Sequence, residues 1–429
     1  MLLRFQFRNH RSFRDEQDFS MIAGNYREHE DVVRRVETFH EGVLPVAAVY
    51  GANASGKSNM LKALEFLRSA VLRSHRDWKP DGGVPRDRFM GASQGDTASE
   101  YVVDFLLDGI QYQFGFSADS EVIQSEWLHA YPSRRRQVWY ERKAGAKMTF
   151  GPNMSGAKRS IEALTRTNSL FLSAAVQNAN ELVEPIYRWL TRSLTITRVG
   201  MKSMPVPRST ISTLQQDRDF KDAFLALVKG ADFGIEQMRM VEESPKPETV
   251  EYAGRVAAAM PLLSPDAKVP DLPSTRPELR FMHRGGQEFQ GNQESDGTRS
   301  YIALLGPALK ALRSGGTVCV DELDSSLHPH LAVKIVRLFQ EKESNPKDAQ
   351  LIFNTHDTNL LSHAGLRRDQ IWFCEKASDG ATAIYPLSDF KPRKEENLET
   401  GYLQGRYGAI PFLNEGAFTA ALGGADAEA

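Results

Sequence analysis

Leu3, Phe5 and Phe7 alternate with Arg4, Gln6 and Arg8, the two-residue period of a strand with one buried face. A second short strand is predicted over residues 18–22, and a charged loop over 26–41. Residues 46–50, Val-Ala-Ala-Val-Tyr, are apolar and β-branched enough for a buried strand, and Pro45 suits its first edge. That run stops at Gly51. A glycine-containing loop follows, and from Ser58 onward Leu61, Leu64, Leu67, Ala70 and Val71 recur at helical spacing. Residues 101–140 read as a β-meander, in which 101–107 and 110–117 flank Asp108-Gly109, a strong two-residue hairpin signal. From 151 to about 240 the pattern turns helical, most clearly over 170–190 and 219–229. Residues 243–277 are proline-rich without a sustained period and predict a long exposed loop, with a strand over 279–289 beyond it. From Asp296 to about Asp389 strand and helix patterns alternate, as in a sheet with helices packed on it. The small, acidic residues 423–429 are expected to be disordered.

Composition narrows the class. The 429 residues suggest two or three domains, and 41% hydrophobic with 25% charged residues is ordinary for a soluble globular protein. A net charge of -2 gives no global attraction to nucleic acid or to anionic membrane, so any such binding needs a local basic patch. Arg134-Arg135-Arg136 and residues 391–394 are local clusters, a pattern that more often marks solvated surface than a DNA grip. Cys319 and Cys374 lie in apolar runs and read as small buried residues; they form neither a disulfide framework nor a metal-ligand spacing. Residues 1–14 lack the apolar block and cleavage site of a signal peptide, and no stretch approaches the ~20 apolar residues of a membrane helix. The expected location is the cytoplasm.

Two motifs carry chemistry. Gly51-Ala52-Asn53-Ala54-Ser55-Gly56-Lys57-Ser58 matches G-x-x-x-x-G-K-[ST], set between a predicted strand and a predicted helix as that motif requires. A chance match in a chain this long is on the order of one per cent. The glycines let the backbone wrap an anion with its N–H groups pointing inward, and the helix start adds partial positive charge. Lys57 supplies a mobile cation for β- and γ-phosphates, Ser58 a hydroxyl for Mg²⁺, and Asn59 follows them in the same nucleotide site. The second motif is the apolar strand Thr317-Val318-Cys319-Val320, which ends in Asp321-Glu322. Ligands of open α/β sheets bind beyond the carboxyl ends of the strands. Asp321 is placed there to hold Mg²⁺, directly or through water, and Glu322 to orient and deprotonate an attacking water.

Upstream of Asp321 lies Glu294-Ser295-Asp296-Gly297-Thr298, a small hydroxyl- and glycine-bearing turn at the start of a helix with Ile302, Leu305, Leu309 and Leu312 on one face. Gly315-Gly316 is its expected C-terminal cap. Downstream come Leu323-Asp324 and then Leu351-Ile352-Phe353 leading to Thr355-His356. In this order the chain resembles the ABC ATPase head, in the branch of the SMC proteins, RecF and their double-strand-break repair relatives. The opening Phe7-Arg8-Asn9-His10-Arg11-Ser12-Phe13 is similar to the start of that group, with His10 in place of its usual aromatic. The resemblance implies an α/β P-loop ATPase head with an N-terminal β-rich part, binding ATP and Mg²⁺ and hydrolysing ATP. It implies that Ser295 and Gly297 contact ATP held by a second subunit, that Asp324 meets that subunit as a D-loop, and that His356 is a switch histidine sensing the γ-phosphate. Head-to-tail pairing into a homodimer or higher oligomer follows from those roles. The turn departs from Leu-Ser-Gly-Gly-Gln at Glu294, Asp296 and Thr298, away from the transporter form. Gln94 and Gln111 fall in the broad region of a glutamine loop, without its context.

The phosphate loop and the carboxylate pair lie more than half the chain apart, so something is inserted between them. The expected division is 1–150 for the N-terminal part of the head, 151–275 for an inserted helical subdomain with the proline-rich loop, and 276–422 for the C-terminal part. Glu294 to Arg299, Asp321 to Pro329, Gln350 to Asp357, Arg367 to Phe373 and Gly405 to Pro411 also resemble the abortive-infection AbiL and RloA-like ATPases, kin of the ATPase of the PARIS anti-phage system. That narrower resemblance implies an ATPase that controls a separate effector, such as a nuclease with a TOPRIM-like fold. Too little chain follows His356 for a fused nuclease, because 370–374 and 382–387 read as edge strands of the sheet. The alternative function is a RecF- or SMC-like ATPase that clamps DNA, although the inserted helices are too short for a long coiled coil.

Overall fold

The computed structural model describes residues 1–91, 96–199, 206–244, 250–252, 254–256, 275–393 and 396–411. The chain divides into two compact units: Met1–Arg198 with Lys310–Asp324 and His328–Ala429, and Val199–Leu309 with Ser325–Leu327.

The first unit holds two sheets. One is seven-stranded and antiparallel, and the expected meander forms most of it. Leu2–Arg8 pairs with Gln17–Ser20 on one side and with Ser99–Leu107 on the other. At the hairpin between Ser99–Leu107 and Ile110–Ala118, Asp108 and Gly109 both take positive φ, 51° and 75°. That is the backbone a two-residue primed turn demands, and Gly at its second position adopts it without steric cost. The other sheet is six-stranded, in the order Leu194–Arg198, Thr317–Asp321, Gln350–Asn354, Val46–Tyr50, Ile371–Lys376, Thr382–Pro386. All neighbours in it are parallel except the last pair. Its central strands are buried on both faces, which explains why 46–50 and 317–320 read as unbroken apolar runs.

One core joins the two sheets. Leu3, Phe5 and Phe7 share it with Ala47, Val49, Cys319 and Ile352, and the helix Lys57–Arg73 adds Met60, Leu61, Leu64 and Leu67. Gln350 ties the sheets together at one end. Its buried amide accepts from the Leu2 N–H at 2.6 Å and donates to the carbonyls of Leu2 and Leu44 at 2.9 and 3.1 Å.

The stretch 151–240 is not helical throughout. Lys158–Leu164, Phe171–Gln177 and Glu184–Arg188 are short helices, but Leu194–Arg198 is a strand on the edge of the parallel sheet. Its Thr195-Ile196-Thr197 run is β-branched, and tertiary pairing with Thr317–Asp321 decides its state. Residues 151–198 therefore belong to the first unit, and the second begins at Val199 and not at 151.

The second unit contains the helices Arg208–Gln216 and Arg218–Gly230, the latter capped by Asp217 accepting from the Phe220 N–H at 2.8 Å. Its three-stranded antiparallel sheet runs Ile235–Glu243, Arg276–His283, Glu288–Gln290. The single strand expected over 279–289 is thus two strands joined by a turn. Most of the proline-rich 243–277, and all of 423–429, lie outside the described residues. The helix Asp296–Ser314 ends as its glycines foretell, with the N–H groups of Gly315 (φ 77°) and Gly316 donating to the Ala311 carbonyl at 2.8 and 3.2 Å. Among the described residues no helix is long and apolar enough to cross a membrane.

Candidate functional site

The strand Val46–Tyr50 delivers the chain into the phosphate loop, and the helix Lys57–Arg73 leaves it. Gly51 has no room for a side chain, since a Cβ would lie 2.3 Å from the Cys374 carbonyl oxygen. Gly56, at φ 118°, needs glycine on two counts, because a Cβ would also meet Thr382 Oγ1 at 2.7 Å and Ser12 Oγ at 2.9 Å. Ala54 between them is left-handed at φ 61°. The loop is pinned from below by its neighbours: Thr382 Oγ1 donates to the Ser55 carbonyl at 2.8 Å, and Asn59 Nδ2 to Ser12 Oγ at 2.9 Å. Asn53 and Ala54 stand exposed at its tip, while Ser55 Oγ is buried with no hydrogen-bond partner among the described residues.

Lys57 is buried and its Nζ donates to the carbonyls of Gly51 and Ala52, at 2.7 and 2.9 Å. Burial holds its pKa below the usual value, opposed by the nearby Cys374, Asp324, Asp321 and Glu322.

Ser58 and Asp321, 263 residues apart in sequence, are in direct contact: Ser58 Oγ donates to Asp321 Oδ1 at 2.7 Å. Asn354, at the end of the neighbouring strand, donates from Nδ2 to the same oxygen at 2.5 Å, and its Oδ1 accepts from the Glu322 N–H at 2.6 Å. Sequence reading missed Asn354. Its only signal is position, one residue past the paired Val320 and Phe353, which sets it beside Asp321. Glu322 itself is left-handed at φ 61°, a strained backbone for a non-glycine residue held in place by these bonds. Arg198 was missed as well; its Nη2 donates to Glu322 Oε1 at 3.0 Å.

His356 lies at the surface, with its N–H donating to both Asp324 carboxylate oxygens at 3.3 Å. Partial desolvation of the ring, then the Lys57 ammonium, lower its pKa from 6.5, against the pull of Asp324 and Glu322. Gly51 to Asn59, Asp321, Glu322, Asp324 and His356 thus all belong to the first unit. Ser295 and Gly297 belong to the second. There Ser295 Oγ accepts from the Thr298 N–H at 3.1 Å and caps the helix that follows, and Gly297 packs so close to the Ser326 carbonyl that a Cβ would lie 2.7 Å from it. Gln111 sits inside the strand Ile110–Ala118, and Gln94 lies outside the described residues. Arg11 is engaged by Asp87, Nη2 to Oδ2 at 2.5 Å.

The residues fit an Mg²⁺–nucleotide pair. The glycine cradle admits a close anion, and Ser58 with Asp321 form a hydroxyl–carboxylate pair at its edge. No group of three or more His, Cys, Asp or Glu side chains that could hold a metal occurs among the described residues. Mg²⁺ held by one or two protein oxygens, phosphates and water needs none.

The family model described as "AAA domain, putative AbiEii toxin, Type IV TA system" matches residues 46–149 and 235–362, more than half of the chain. The chain belongs to this AAA-domain family. The first matched segment of the AAA domain carries the phosphate loop; the second carries Ser295, Gly297, Asp321, Glu322, Asp324 and His356. Families of this AAA type are generally ATPases. Among curated proteins none matches. Solved structures similar to the AAA domain include an SMC head domain from Thermotoga maritima, at 15% identity and TM-score 0.41, covering 90% of this chain and 98% of that one. An SMC head bound to the C-winged helix domain of ScpA matches at 15% identity and TM-score 0.46 over 90% and 97% of the two chains. An SMC head with an extended coiled coil, bound to the C-terminal domain of ScpA derived from Pyrococcus furiosus, matches at 14% identity and TM-score 0.35 over 91% and 97%.

Proposed function

We propose that this AAA domain is an Mg²⁺-dependent ATPase of the ABC and SMC type. The observation that carries the reading is the hydrogen-bonded chain Ser58–Asp321–Asn354–Glu322, which brings a hydroxyl and two carboxylates to the mouth of a glycine-rich loop. The loop N–H groups and Lys57 bind the phosphates. Ser58 and Asp321 would hold Mg²⁺, which would supply neutralisation of the phosphate charge. Glu322, side chain partly exposed and backbone fixed by Asn354, orients the attacking water and takes its proton. His356, tied through its N–H to Asp324 and held below the usual imidazole pKa by partial burial, donates a hydrogen bond toward the γ-phosphate. Ser295 and Gly297 of a second copy cover that phosphate, with Asp324 at the junction, so the working form is a head-to-tail dimer or a higher oligomer.

On the finer level, the reading is a regulatory ATPase of an anti-phage, abortive-infection system that holds or releases a separate effector such as a TOPRIM-like nuclease. Its support is the resemblance of residues 294–299, 321–329 and 350–357 to such ATPases, together with the toxin–antitoxin term in the family description.

Replacing Glu322 with Gln tests the reading. Phosphate release is expected to fall by about 100-fold or more, while ATP binding persists and light scattering shows an ATP-dependent oligomer. Equal, negligible turnover in the parent and in Glu322→Gln would instead mark a non-hydrolytic scaffold.

A further inference from the structure

Arg198 closes the edge strand Leu194–Arg198, and the parallel register sets it beside Asp321. It lies in the stretch between the two segments matched by the family model. Its guanidinium meets both carboxylates of the site: Nη2 donates to Glu322 Oε1 at 3.0 Å, and Nε lies 3.7 Å from Asp321 Oδ2. Ser58 and Asn354 take the other Asp321 oxygen, Oδ1. Glu322 is therefore held twice, by Asn354 at its backbone and by Arg198 at its carboxylate.

We propose that Arg198 is a positioning residue that aims the Glu322 carboxylate, and that its charge weakens Mg²⁺ binding at Ser58 and Asp321; the proposal rests on the nucleotide-site reading above. Two effects of opposite sign follow. Without the guanidinium, the Glu322 carboxylate is free to rotate, and the orientation it needs to activate water is lost. Without the positive charge beside Asp321 Oδ2, a dication on that carboxylate meets less repulsion and binds more tightly. A merely structural role for Arg198 would weaken both. The side chain is 49% exposed, so its removal leaves the packing of the strand intact. Lysine keeps the charge but lacks the planar fork, and so separates the two effects.

The test uses the full chain and a fluorescent ATP analogue, titrated with Mg²⁺, alongside steady-state turnover. In Arg198→Ala the half-saturating Mg²⁺ concentration is expected to fall by about threefold or more, while kcat falls by about tenfold or more with KM for ATP little changed. In Arg198→Lys the Mg²⁺ half-point stays near that of the parent and kcat remains low. An unchanged kcat in Arg198→Ala, or an Mg²⁺ half-point that stays or rises, overturns the proposal. A parent chain with no Mg²⁺-dependent binding removes the site reading and this proposal with it; a parent that binds, with Arg198→Ala indistinguishable from it, overturns this proposal alone.

Discussion

His10 is buried, and its Nδ1 lies 2.9 Å from the Tyr101 hydroxyl. Burial foremost, then Arg11, lower its pKa from 6.5 to about 3; Asp87 pulls the other way and Lys62 adds a small push down. The folded chain thus keeps the imidazole neutral where the unfolded chain protonates it. The unfolded state binds more protons between pH about 3 and 6.5, so stability falls as pH drops through that window, by about 1.4 kcal/mol for each pH unit crossed. Thermal melts from pH 7 to 4.5 are expected to show a decline in the parent and a flatter one in His10→Phe, which keeps an aromatic ring beside Phe66 and Tyr101. Equal slopes would contradict the assignment. His10 also shows what a sequence reveals at this scale. Its place in the opening motif was readable, whereas its neutral state follows from packing against Phe66 and Tyr101, which are distant in the sequence. Asn354 is a sharper case. It lies inside the singled-out stretch 350–357, yet no role could be read for it there, and its bonds to Asp321 and to Glu322 exist only because two parallel strands share a register.

Elements were legible where local chemistry and tertiary context agree. The Asp108-Gly109 turn, the glycine cap of Asp296–Ser314 and the strand–loop–helix around 51–58 stand as their residues imply. Leu194–Arg198 was absorbed into a helical stretch because five residues carry little periodicity of their own, and an edge strand declares itself only through its partner. The short helix Phe171–Gln177 depends on a distant group in the same way. The fully buried Glu126 of the meander accepts from the Phe171 and Leu172 N–H groups, at 2.6 and 2.9 Å, and from the Tyr140 hydroxyl at 2.9 Å. It supplies the helix start with the acceptor that its own sequence lacks. Glu126→Ala strands all three donors in the core and is expected to cost about 3 kcal/mol or more in urea unfolding, with Glu126→Gln costing less. A loss for the alanine variant within about 0.5 kcal/mol of zero, the range of an ordinary surface change, would show that these bonds do not anchor the helix.

For the whole molecule, chain order is a poor guide to assembly. The first unit is built from three separated segments, and the hydroxyl of Ser58 meets a carboxylate 263 residues later. The motifs set Ser58 and Asp321 as two candidates for one ion, and the fold puts them in contact; they did not foretell which intervening residues belong to which unit. The central claim is that residues 51–58 and Asp321 form one Mg²⁺–ATP site. Calorimetric titration of the full chain with ATP in the presence of Mg²⁺, repeated on Lys57→Ala, tests it most directly. Saturable binding by the parent, weakened by about tenfold or more in the variant, is the predicted result. Equal affinity in the two proteins, or no binding by the parent, would contradict it.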